Sequence, residues 1–389
     1  MILKRLPEDF KVTEIPKIKE DENGKFSVYL LKKKNIDTLG AIQIIKRRFS
    51  LKHVEVAGLK DKHTESEQYV SIPGRNGVKY NVKERNFKLE FKFYSNEPLH
   101  IGFLEGNKFE IVVRKIQASY IKILEKRSSL IERGIPNYYG EQRFGSYSSK
   151  SGFLGKALIK KEHEKALKIY LTHFIRSENK DKKELKKFVE SNWKSWDDIL
   201  KYLKRNKIKN SLVEKIIRHL KKSNNDFYSA VKIIPERYLR LYIEAYQSFI
   251  WNEITRRIIE KIADKKFSLS YIAGILFFYD EINEENLNLL NGASFNFKEI
   301  KAKKELRDFI EKTKKEVFMN ESINEKILVR PFFNAGVLRK RKILIFPKEF
   351  SVVDVSDDEL YRGFKKARLR FNLPSGSYAT MVTRLLFKH

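Results

Sequence analysis

Apolar and polar positions follow different rhythms in different parts of the chain. Phe87, Leu89, Phe91 and Phe93 alternate strictly with polar residues, Phe109, Ile111 and Val113 recur at the same spacing, and Ala367 to Leu373 alternates again near the other end. Such alternation predicts strands with one buried face. Phe26 to Leu31 and Gln68 to Ile72 read as further strands, the second stopping at Pro73-Gly74, and Val54 to Ala57 is a short apolar run ended by Gly58. Leu39, Ile42, Ile45 and Phe49 recur at helical spacing, and Thr38 stands where a cap is needed. From about Lys150 to Lys265 the spacing turns helical and lysine-rich. Glu236 to Ile262 is the clearest long helix there, with Leu241, Ala245, Phe249 and Asn252 along one face and Trp251 close by. Short apolar segments then return at Gly274 to Tyr279, Ile327 to Val329 and Ile343 to Phe346. Alternating strands at both ends around a different middle predict an α+β chain: a largely antiparallel sheet, helices on one face, and an insertion.

Composition sharpens this. The chain has 389 residues, 41% hydrophobic, with 28 Phe and 18 Tyr, enough for one large cored domain or two ordinary ones. Lys and Arg number 81 against 50 Asp and Glu, a formal excess of +31. So large an excess repels itself in a compact state and fits a polyanionic partner, nucleic acid above all. There is no cysteine, which excludes disulfides, thiolate nucleophiles and Cys-ligated zinc. The 7 His show no HxxxH or HExxH spacing, so no catalytic metal is expected. The opening MILKRLPEDF has no apolar signal core, and the strongest apolar stretch, Tyr271 to Tyr279, is far short of the roughly 20 residues that span a bilayer. A soluble, cytoplasmic protein without a membrane partner is expected.

Four segments can carry chemistry. Ala57 to Gln68 lies between two predicted strands and presents Asp61 among Lys60, Lys62 and His63. A carboxylate among cations stays ionised, which suits a nucleophile or base, although taken alone the residue reads far more readily as a solvated turn aspartate. Asn137 to Gly145 gathers three aromatics, two carboxamides, Arg143 and two glycines, a mixture that could stack on bases and read phosphates or could form an ordinary turn. Phe371 to Thr380, followed by Arg384, reads as a strand passing at Pro374 and Gly376 into a helix that Ser377 could cap. Pro7 to Phe10 is a turn near the start.

Taken in order, these segments resemble the TruD family of tRNA pseudouridine synthases, in its archaeal branch. Lys4 with Pro7-Glu8-Asp9-Phe10 matches the family's K-x-x-P-E-D-F. Ala57 to Lys62 with Gln68 matches A-G-x-K-D-[KR]…Q. Asn137 to Gly145 matches N-Y-[FY]-G-x-Q-R-F-G, and Leu373 to Thr380 matches L-P-x-G-S-[FY]-A-T. Tyr246 to Asn252 is similar to the family's helix at that point, while the family's Arg-Glu pair reads Arg384-Leu385 here. The motifs span nearly the whole chain.

The resemblance implies a pseudouridine synthase fold formed by residues 1–148 and 351–389, interrupted by an inserted α/β TRUD domain over 149–350, with the helix 236–262 packing against the catalytic part. It implies isomerisation of a tRNA uridine, at position 13 for the best-known target, with no cofactor and no metal. The glycosidic bond to N1 breaks, the base rotates, and C5 rejoins C1′. By the same resemblance Asp61 is the catalytic aspartate, with Arg384 the first candidate for a cation beside it. Tyr139 stacks on the target base, Asn137 orients the loop or nucleotide, and Lys4, Glu8, Phe10, Arg143 and Tyr378 line the substrate site. A monomer acting on a flipped-out nucleotide is expected. The rival readings are a non-catalytic RNA binder and a metal-dependent RNA nuclease.

Overall fold

The computed structural model describes residues 1–74, 81–173, 178–208, 211–329 and 338–388. The chain forms two compact units, residues 1–135 with 345–389, and residues 136–344.

The first unit is built on a nine-stranded sheet. Its strands are β1 (Phe10–Pro16), β2 (Phe26–Lys33), β3 (Glu55–Val56), β4 (Glu65–Pro73), β5 (Val82–Lys83), β6 (Phe87–Ser95), β7 (Leu104–Ile116), β8 (Lys348–Asp357) and β9 (Lys365–Pro374). They run in the order β8-β9-β7-β1-β4-β2-β6-β5, with β3 beside β4. Only the β1–β4 pairing is parallel among these neighbours. Helix α1 (Thr38–Arg48) lays Ala41, Ile42 and Ile45 on Tyr29, Leu31, Val70, Ile72 and Leu89. The opposite face carries Val28, Ala57, Leu99 and Leu104, with Tyr69 and Phe93 packed against them. Helix α2 (Ile121–Ser128) meets α3 (Ala379–Phe387) through the stacked rings of Tyr120 and Phe387, and Arg127 Nε donates to the Leu385 carbonyl at 2.8 Å. At Gly106 the strands β7 and β9 come so close that a Cβ would stand 2.2 Å from the Leu373 carbonyl oxygen.

Several local expectations change. The cap of α1 is Asp37, whose carboxylate accepts from Gly40 N at 2.7 Å, and the Thr38 hydroxyl is used elsewhere. Leu39 is exposed, because the buried stripe of α1 runs through Ala41 instead. The alternation of β6 does not hold to its end: Val28 faces Phe93 and Tyr29 faces Phe91, a bulge at Lys92 that sends Phe93 to the opposite face from Phe91. Helix α3 begins after Tyr378 with no side-chain cap from Ser377.

The second unit is organised by the helix Glu236–Ile262. Its middle is buried all round, including Tyr246, Gln247, Trp251 and Asn252, so no single stripe describes it, and Leu241 is exposed. Around it lie the hairpin Lys265–Tyr271/Gly274–Glu281 and a small sheet of Ser294–Phe295 between Ile300–Lys301 and Arg341–Lys342. The lysine-rich region forms the helices Lys180–Ser191, Trp196–Arg205 and Ser211–Lys222. The segment Ile327 to Val329 lies in the helix Glu325–Val329.

The break between units falls at 135/136 and 344/345, where the sequence suggested 148/149 and 350/351. The reason is visible in residues 137–139. Asn137 N donates to the Ile343 carbonyl at 2.8 Å, the Tyr138 hydroxyl donates to the Phe277 carbonyl at 2.8 Å, and Tyr139 is bonded to Asn252. These groups find their partners in the second unit. The helix 236–262 likewise belongs to that unit.

Candidate active site

The loop between β3 and β4 carries Asp61, and buried polar bonds shape it. The Thr38 hydroxyl donates to Gln68 Oε1 at 2.7 Å and accepts from Lys60 N at 2.8 Å. Gln68 Nε2 donates to the Gly58 carbonyl at 3.2 Å. Lys60 Nζ pairs with Glu14 on β1 at 2.7 Å, and the second oxygen of Glu14 accepts from Tyr69 N at 2.9 Å. The Asp61 carbonyl accepts from Lys33 Nζ at 2.8 Å and from the Thr64 hydroxyl at 3.0 Å. Thr38, Thr64, Gln68, Glu14 and Lys33 are all buried, so these bonds form in a low-dielectric setting where leaving any of them unmade is costly.

The Asp61 carboxylate itself is 49% exposed, with one oxygen 3.1 Å from Lys4 Nζ. Accessibility of this kind suits a group that must meet a large substrate. The Lys4 ammonium also lies 4.3 Å from the centroid of the Phe10 ring. Phe10 is buried, edge-on to Phe109 with centroids 6.1 Å apart, so it is a fixed platform for that ammonium. Lys4 adopts φ 54, in the left-handed region that side-chain-bearing residues seldom take. Glu8 is paired with Lys34, which holds its carboxyl below the usual range. Asp9 turns away from this group: it is buried and bonded to Arg114, which also reaches Asp358 and Glu359 at 3.1 and 3.0 Å. Within the first unit, then, Lys4, Phe10 and Asp61 are brought together, with Glu8 on the neighbouring turn. Tyr378 is half-buried just before α3, and Arg384 is buried within α3.

Asn137, Tyr139 and Arg143 lie in the second unit, where the ring of Tyr139 is held from several sides. Tyr139 N donates to Asn252 Oδ1 at 2.9 Å, and Asn252 Nδ2 donates back to the Tyr139 carbonyl at 3.1 Å. The Trp251 ring meets Tyr139 edge-on at 5.7 Å, and the Arg341 guanidinium lies 4.2 Å from the Tyr139 centroid. Arg341 is positioned by Asn137, whose carbonyl and side-chain oxygens each accept from it at 2.6 Å. Asn137 therefore acts on the ring's neighbour, consistent with an orienting part. Arg143 is tied to the long helix, donating to Ser248 at 3.1 Å and pairing with Glu244 at 2.8 Å, so part of its hydrogen-bonding capacity is spent within the protein.

Sequence patterns did not reveal Lys33, Glu14 or Arg341. For Lys33 a signal existed. It continues the inward series Tyr29, Leu31, Lys33 on β2, so a charged residue occupied a core position. Burial presses its pKa down to about 8, with Asp37 and Asp61 acting against that shift.

Among the described residues no group of three or more His, Asp and Glu is placed to hold a metal ion. No described helix is long and apolar enough to cross a membrane.

A sheet of this topology that presents a bonded, accessible aspartate beside a lysine defines an α+β protein with a carboxylate-centred candidate site. Comparison with known proteins then gives the family. A family model for tRNA pseudouridine synthase D (TruD) matches residues 1–272. The probable tRNA pseudouridine synthase D 2 of Methanocaldococcus jannaschii is 36% identical over 399 residues, covering 100% of this chain and 92% of that protein. The tRNA pseudouridine synthase D of Aquifex aeolicus is 31% identical over 397 residues, covering 99% and 97%. The crystal structure of a putative tRNA pseudouridine synthase D from Methanosarcina mazei aligns with a TM-score of 0.68 and 25% identity, covering 100% of this chain and 93% of that one. The chain belongs to the tRNA pseudouridine synthase D (TruD) family.

Proposed function

We propose that this protein isomerises a uridine of tRNA to pseudouridine, that the uridine is the one at position 13, and that Asp61 is the catalytic carboxylate. The observation that carries the reading is the Asp61 loop. Its backbone is fixed by buried bonds, while its carboxylate stays half exposed with the Lys4 ammonium 3.1 Å away. In the reaction the C1′–N1 bond breaks, the uracil turns, and a C5–C1′ bond forms. N1 gains a proton and C5 loses one to solvent. The oxidation level is unchanged, so no electron acceptor enters. Asp61 serves either by attacking C1′ or by taking a proton from the ribose, and both roles need its ionised form. Arg384 is proposed as a second cation serving that carboxylate.

The target must leave the base stack, at a cost of a few kcal/mol. Tyr139 is proposed as its stacking partner, at about 1–3 kcal/mol per base. Asn137 orients that loop, and Lys4, Glu8, Phe10, Arg143 and Tyr378 line the substrate site. The excess of +31 supplies phosphate contacts.

The test uses tRNA carrying 5-tritiated uridine. Wild-type protein should release tritium and leave the RNA at unchanged length in excess EDTA. Asp61→Asn should bind tRNA within a few-fold of wild type and release none. Full activity in Asp61→Asn would defeat the assignment, and shortened RNA would favour a nuclease.

A further inference from the structure

Lys33 is an unusual residue to find where it is. It stands at the end of β2 with 2% of its surface exposed, facing inward after Tyr29 and Leu31. An ammonium is expensive to bury, and an apolar residue would complete the core more cheaply. Its Nζ donates to two backbone carbonyls, those of Ile36 at 2.9 Å and Asp61 at 2.8 Å. Ile36 precedes the cap of α1, and Asp61 lies on the loop after β3, so one ammonium ties two separate segments to the sheet.

We propose that Lys33 is a positioning residue: its buried ammonium holds the main chain at residue 61 and thereby sets where the Asp61 carboxylate stands. This rests on Asp61 being the catalytic carboxylate, as read above. The Asp61 carbonyl is one bond removed from the Cα that carries the reacting group. A shift of that carbonyl moves the carboxylate relative to C1′, and misplacement by about 1 Å can cost on the order of 100-fold in rate. Thr64 adds a second bond to the same carbonyl, but a hydroxyl lacks the charge that strengthens the lysine's bond.

The arrangement also predicts a pH response. Lys33 is surrounded by groups of both signs. Asp37 and Asp61 favour its charge and Lys60 opposes it. Lys60 is itself tied to Glu14, Glu67 on β4 is paired with Lys32, Glu65 acts on Lys34, and Glu90 on β6 is paired with Lys88. Burial outweighs these and brings the pKa to about 8. Lys33 is therefore charged below that pH and loses its charge above it. Activity through this residue is complete below pH about 8 and falls as pH rises through it.

The experiment measures kcat and KM on full-length tRNA from pH 6 to 9.5 for the whole chain. Lys33→Met should lower kcat at pH 7 on the order of 100-fold with KM within about three-fold, and should lack the alkaline limb. Because the chain has no cysteine, Lys33→Cys can be alkylated with bromoethylamine at that site alone, after unfolding, and refolded. The resulting thioether amine should restore kcat, and its alkaline limb should move to lower pH because sulfur draws electrons from the amine. That rescue keeps the idea testable if Lys33→Met folds poorly. Wild-type kcat with an unchanged alkaline limb in Lys33→Met would overturn the proposal, as would alkylated Lys33→Cys that folds but shows no recovery. Asp61→Asn, run in parallel, separates the two ideas: activity there sinks the Asp61 reading itself, whereas an inactive Asp61→Asn beside a normal Lys33→Met sinks only the role of Lys33.

Discussion

Replacing Asn252 by Ala probes whether the ring of Tyr139 must be held to work. Asn252 is fully buried on the long helix and bonds both the N–H and the carbonyl of Tyr139, at 2.9 and 3.1 Å. Alanine removes both bonds and leaves two peptide groups without their partner. At about 1–3 kcal/mol for each unmet buried group, the local cost is about 2–4 kcal/mol after partial relaxation. For a unit of this size that is a fall in melting temperature of roughly 2–4 °C per kcal/mol. The effect on catalysis has a separate ceiling. If Tyr139 contributes by stacking, its whole worth is about 1–3 kcal/mol, or roughly 5- to 150-fold in kcat/KM. Asn252→Ala can lose no more than Tyr139→Ala does, and the double variant should be no worse than Tyr139→Ala alone. Tritium release at subsaturating tRNA gives kcat/KM for all four proteins. A folded Asn252→Ala with unaltered kcat/KM, or a double variant whose losses multiply, would refute the reasoning.

Other outcomes follow from the same geometry. Tyr139→Phe should be nearly silent in tritium release and Tyr139→Ala severe, since stacking uses the ring and not the hydroxyl; equal losses would favour a hydrogen-bonding role. Arg114→Met should lower stability to urea by about 3–5 kcal/mol, because it strands the buried carboxylates of Asp9 and Asp358. The bond from Lys366, then a bond from its own backbone N–H, and then Arg114 hold the Glu359 carboxyl down at about 2 from an ordinary 4.5. A depressed carboxyl stabilises the fold above its unfolded value and loses that contribution as pH falls from about 4.5 to 2. Glu359→Gln should therefore flatten that part of an acid-unfolding profile, modestly because the side chain is 52% exposed. Binding to tRNA, measured by filter retention, should weaken about 10³- to 10⁵-fold between 50 and 200 mM salt if 6–10 phosphates are contacted.

Much of the sheet could be read from alternation because one period decides which side chains are buried. Leu369 and Phe371 on β9, and Phe109, Ile111 and Val113 on β7, are buried as that period requires. The reading failed where a single residue broke the period, as at Lys92, and where a polar side chain had a distant partner. Thr38 illustrates the second case. Its position suggested a cap, but the neighbouring Asp37 took that place and the hydroxyl went to Gln68 and Lys60, residues brought close only by the β4 pairing. At the candidate site, the motif residues themselves were legible, while of their supports only Lys33 left a sign, a charge at an inward position of β2, and Glu14 and Arg341 left none. Each support acts through a contact distant in sequence, and no short window contains both ends of it.

Strand β9 lies between β8 and β7, and both β8 and β9 come from beyond residue 344. During synthesis the long strand β7 therefore emerges with one side paired to β1 and the other open until β9 arrives. At roughly 5–20 residues per second that interval lasts on the order of tens of seconds. Throughout it a nascent chain exposes a row of unpaired backbone groups that could recruit a stranger's strand. Dividing the sheet between two distant stretches of gene thus ties successful folding to the last portion translated, and a ribosome that stalls within the second unit would leave an adhesive fragment.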